Sequence, residues 1–98
     1  MDDEKSFLFI GLVSMLSQGV MQHLGKIADP VSGQTQTNLE AAKSMIDLVM
    51  MLKDKTKGNL TADEERFLNT TLTNLQLNYI EEAKTAPTPD QQPKKTPS

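Results

Sequence analysis

The sequence predicts an all-α domain of three helices, completed by oligomerisation and followed by a disordered proline-rich tail. Three observations carry that expectation. Apolar residues recur at helical spacing in three segments, those segments are separated by helix-stop and helix-start signals, and the first segment is apolar around most of its circumference. The helical domain is expected over residues 1–84, with helices at about 6–23, 38–57 and 62–84, and the tail over 85–98.

Helix one should open at Ser6, whose hydroxyl can cap it, and close where Gly25 supplies a left-handed residue before Lys26. On a helical wheel Phe9, Ile10, Leu12, Val13, Leu16, Val20, Met21 and Leu24 leave one stripe of small or polar residues, namely Gly11, Ser14, Gln18, Gln22 and Gly25. A helix apolar nearly all round must be covered on nearly all sides, and two neighbouring helices cannot surround it. A second copy of the chain is the least costly cover. The small residues of the stripe permit close helix approach, with serine and glutamine supplying hydrogen bonds between helices.

The connection from Ala28 to Gln36 contains Asp29-Pro30 and Ser32-Gly33, two turn signals. Helix two should start at a capping box made by Thr37 and Glu40. Lys53, Lys55 and Lys57 near its end favour the negative pole of the helix dipole, and Gly58 stops it. Ala41, Ala42, Met45, Ile46, Leu48, Val49 and Leu52 span nearly half of its wheel, which suits a helix with two apolar neighbours. A second capping box, Thr61 with Glu64, begins helix three, where Asp63 and Glu65 add negative charge in the first turn. Leu68, Leu72, Leu75 and Tyr79 then make a narrow seam spaced four, three, four. Beyond it, Pro87, Pro89, Pro93 and Pro97 fall among polar residues that cannot offset the entropy of ordering.

The chain has 98 residues, 10 Lys+Arg against 13 Asp+Glu, one histidine and no cysteine. A domain of that size buries only roughly 60 to 65% of the surface its unfolded chain exposes, which again favours completion by a second copy. Without cysteine there is no disulfide framework, thiol nucleophile or cysteine-based metal site. The mild negative charge gives no nucleic-acid footprint; Lys53, Lys55 and Lys57 are diluted by Asp54 and lack aromatic platforms, so no nucleic-acid partner is expected. No charge occurs between Lys5 and Lys26, yet Ser14, Ser17, Gln18, Gln22 and His23 interrupt that stretch. It reads as a buried helix of a cytoplasmic protein, with a membrane-surface helix as the alternative.

Catalytic constellations are missing from the pattern. His23 has no second histidine or cysteine to make a metal site or a triad, and Asp63, Glu64 and Glu65 fan out over about 200° of a helix instead of converging. Gly11, Gly19 and Gly25 lie in a helical pattern, not after a strand, so no phosphate loop is present. No enzyme activity, cofactor or metal is expected.

Several runs carry a family resemblance: Phe9-Ile10-Gly11-Leu12-Val13-Ser14-Met15-Leu16-Ser17, Asp29-Pro30-Val31-Ser32-Gly33, Asn38-Leu39-Glu40-Ala41-Ala42-Lys43, Ile46-Asp47-Leu48 and Lys55-Thr56-Lys57-Gly58-Asn59-Leu60-Thr61. In that order, over about Phe7 to Tyr79, the chain resembles the bacterial family known as domain of unknown function eighteen-forty-four. The resemblance implies a small cytosolic helical protein and no established activity, cofactor or catalytic residue. It departs at Gly19, where family-like sequences more often continue with alanine or another helix former.

The expected function is a non-catalytic homo-oligomeric interaction or adaptor module, a dimer first, that recruits another protein. Its interface is expected at Phe9, Leu12, Val13, Leu16, Val20, Leu24, Met45, Val49 and Leu52. In the alternative, helix one docks on a membrane surface or holds an acyl chain, with Phe7 and Phe9 inserted and Lys5 and Lys26 at the headgroups.

Overall fold

A computed structural model describes residues 2–85, which form α1 (Asp2–His23), α2 (Leu39–Lys55) and α3 (Ala62–Thr85), each packed against the other two. The fold is an all-α three-helix bundle. Thr85 closes α3, and the tail expected beyond it lies outside the described residues.

Contacts at the two ends fix the directions. Near the start of α1 the Ser6 hydroxyl donates to Glu64 at the start of α3, and past the end of α1 Lys26 pairs with Glu82 near the end of α3 at 3.5 Å. Helices α1 and α3 therefore run the same way. Helix α2 runs back between them, because the Asn38 amide at its start donates to the His23 carbonyl at 2.6 Å.

Helix α1 starts four residues before the expected cap, at Asp2. Ser6 lies inside the helix, and its hydroxyl is engaged by a carboxylate fifty-eight positions away instead of by the local backbone. The other end closes on glycine: Lys26 N–H reaches Met21 C=O at 2.9 Å and Gly25 N–H reaches Gln22 C=O at 3.0 Å, the paired bonds of a Schellman motif, with Gly25 at φ +77°. The next segment is an Asx turn, in which Asp29 Oδ1 accepts from Val31 N–H at 2.7 Å.

Asn38, not Thr37, caps α2; its side-chain oxygen accepts from Ala41 N–H at 3.0 Å. Thr37 is held elsewhere, since it pairs with Leu24 in an isolated antiparallel bridge that closes the loop between α1 and α2. The expected box between Thr37 and Glu40 therefore does not form; Glu40 is left as an exposed first-turn carboxylate. Helix α2 ends at Lys55, two residues early, where Thr56 turns its hydroxyl onto Leu52 C=O at 2.8 Å and Gly58 takes φ +85°. The second box is complete: Thr61 N–H donates to Glu64 Oε1 at 2.9 Å and Glu64 N–H to Thr61 Oγ1 at 3.1 Å.

Nine residues make the buried core: Val13 and Val20 of α1 with Leu24 just past its end, Ala42, Ile46 and Val49 of α2, and Leu68, Leu72 and Leu75 of α3. Their spacings of seven, four and three keep each set on one side of its helix. Phe9, Leu16, Met45, Leu52, Phe67 and Tyr79 pack around that center.

Candidate functional site

Most of the residues first expected at a partner interface are packed among the chain's own three helices. Val13, Val20, Leu24 and Val49 are fully buried, while Phe9, Leu16, Met45 and Leu52 pack against the core. Of the nine, only Leu12 reaches solvent substantially. The reason is geometric: α2 and α3 together cover the arc of α1 that carries Val13 and Val20, and the uncovered residues lie across the helix from it.

That opposite side is apolar as well. Phe7 is 78% exposed, Leu8 65%, Leu12 40% and Met15 63%, with no charged residue between Lys5 and Lys26 to interrupt the helix. Leu8, Leu12 and Met15 follow one another at four and three residues, so they stand in one row. A Cβ placed on Gly19 would stand 2.5 Å from the terminal methyl of Met45, which sets the antiparallel register of the two helices and brings Leu48, on the same flank of α2 as Met45 and Leu52, within a turn of Met15. Leu48 is itself exposed. Sequence reasoning did not single out Leu8 and Met15 as exposed, and named Phe7 only for the membrane alternative, because the wheel of α1 is apolar in too many directions to show which residues would be taken by α2 and α3.

The two glycines inside α1 differ. At Gly19 a Cβ would meet the end of the Met45 side chain, which would have to swing aside to admit it. At Gly11 a Cβ would meet nothing within 4 Å, and the residue's φ is ordinary. A glycine inside a helix costs about 1 kcal/mol relative to alanine. Gly11 stands exposed beside Leu8, Leu12 and Met15.

Two polar features complete the survey. Glu64 is buried at the start of α3, and hydrogen bonds from the Ser6 hydroxyl, then the Thr61 amide, hold its carboxyl below the ordinary glutamate value against the opposing effect of desolvation. Between α2 and α3 a cleft of about 500 Å³ is lined by Met50, Lys53, Asp54, Asn69, Thr73 and Gln76, and Asn69 Oδ1 is buried there without a hydrogen-bond partner. These groups offer polar contacts and no nucleophile paired with a base. Among the described residues no group of three or more His, Cys, Asp or Glu side chains could hold a metal, and no helix is long and apolar enough to cross a membrane.

Fold and surface together define a small three-helix bundle in which, among the described residues, the side of α1 carrying Phe7, Leu8, Leu12 and Met15 is apolar and exposed. The chain belongs to the family described as Domain of unknown function (DUF1844), which it matches over residues 6–81. That span holds α1 from Ser6, the whole of α2 and most of α3. Neither the curated proteins nor the solved structures provide a match.

Proposed function

We propose that this chain is a non-catalytic interaction module that self-associates as a dimer through the uncovered side of α1 and the adjoining flank of α2. The observation that carries the proposal is the row Leu8, Leu12 and Met15, with Phe7 beside it, on a helix without charge from Ser6 to Gly25. Burying the remaining exposed part of such side chains is worth roughly 1 to 2 kcal/mol each. The proposed setting is the cytoplasm, a reducing compartment in which a chain without cysteine needs no disulfide. Val31 at the loop, Leu77 and Ile80 on α3 and Met51 on α2 are also exposed, and these are the surfaces we assign to a further protein partner.

Membrane docking has less to stand on, because Phe9, one of the two phenylalanines expected to insert, packs against the core and leaves Phe7 as the exposed aromatic of α1. The proposal is tested by sedimentation equilibrium of a Leu8→Arg/Met15→Arg variant beside a Leu77→Arg control. The first variant should be a monomer and the control should match the wild-type dimer. Equal masses for all three chains would remove the α1 face as the interface.

A further inference from the structure

We infer that the partner on this face is a second copy of the same helix, lying antiparallel and crossing α1 at Gly11. The inference rests on the proposed self-association and adds its geometry. Gly11 is the starting point, because neither φ nor any neighbour within the protomer calls for a residue without a side chain there, and glycine is the poorest helix former short of proline. A helix backbone arriving from outside gives the missing reason. Gly11 forms a shallow place between the flanking knobs Phe7, Leu8 and Met15, so the face carries both projections and a recess and is complementary to itself, as a two-fold contact requires.

Charge chooses the direction. With two helices level at Gly11, positions whose numbers sum to about 22 share a height, given the uniform rise of about 1.5 Å per residue. In the antiparallel arrangement Glu4 then stands level with the partner's Gln18, whose amide can donate to the carboxylate. Leu8 stands beside the partner's Met15, and Phe7 beside the partner's Ser14. In the parallel arrangement Glu4, which shares the side of Gly11, would face Glu4, like charge against like. Leu12 of both copies meets near the axis, on the side of Leu48, which extends the contact onto α2.

The absence of native cysteine makes the geometry directly readable by cross-linking. Full-length Leu8→Cys and Met15→Cys chains are mixed and oxidised under mild conditions. The inference expects the mixed disulfide to dominate, because the two positions lie within one residue's height of each other across the dimer, while two Leu8→Cys copies stand well beyond the Cα separation a disulfide tolerates. Dominant Leu8→Cys self-linkage would overturn it in favour of a parallel pair. In parallel, Gly11→Leu should raise the dimer dissociation constant at least tenfold while the helical circular dichroism signal is kept, since the position faces open space in the protomer. A Gly11→Leu chain that dimerises like wild type would overturn the crossing at Gly11 while leaving self-association standing. A wild-type chain that is monomeric at every concentration would instead remove the proposed function itself.

Discussion

At the scale of single residues, the clearest chemistry is the meeting of Ser6, Thr61 and Glu64, where a helix cap also ties two helices together. Because the Glu64 carboxyl is held below the ordinary glutamate value, its contribution to stability is fully present above the unfolded value and is lost as pH falls through the lower folded value. Glu64→Gln should therefore lower the melting temperature at neutral pH and make its fall on acidification shallower; parallel Tm curves for both chains from pH 7 down to pH 3 would contradict this. Thr61→Ala should cost about 1 kcal/mol by removing the capping hydroxyl, measurable by urea unfolding. Asn69 works in the other direction. Its unpaired buried oxygen makes Asn69→Ala neutral or slightly stabilising, and a large loss in the same urea experiment would mean that the oxygen has a partner in solution.

At the scale of elements, the helix ends show what a sequence can and cannot carry. Gly25 and Gly58 were readable because a left-handed residue after a helical run has few candidates other than glycine, and both take positive φ. Gly25→Ala should cost roughly 1 to 2 kcal/mol from the backbone alone. The cost should be compounded by Thr37, whose hydroxyl would stand 2.6 Å from the new Cβ. Thermal unfolding of Gly25→Ala beside Gly11→Ala separates the two sites, because only the first replaces a glycine that the protomer requires. The Thr37 cap was misread for a local reason: Thr37 and Asn38 are both competent caps, and the bridge to Leu24 decides between them. Ser6 was misread for a distant one, since nothing near it in the chain announces Glu64. In α3 the seam Leu68, Leu72 and Leu75 was legible because it is narrow and the rest of the helix is polar. Leu68→Ala should cost about 2 to 5 kcal/mol, the usual range for a fully buried leucine.

At the scale of the whole molecule, a short chain of three helices covers little more than half of an apolar first helix. That two neighbours cannot enclose a helix apolar on most sides was legible in the sequence, and part of the apolar surface of α1 is exposed. Which residues would remain uncovered was not legible. That depends on where α2 and α3 settle, and they settle on Val13 and Val20, leaving Phe7, Leu8, Leu12 and Met15. Self-association through those four residues should respond to salt weakly, as apolar contacts do, and to dilution strongly. The most direct test is absolute mass by light scattering after size exclusion of the full-length chain, in detergent-free buffer over a wide concentration range. The expected result is a reversible species of twice the 10.8 kDa chain mass that dissociates on dilution. A monodisperse monomer throughout would contradict the idea that a second copy covers α1.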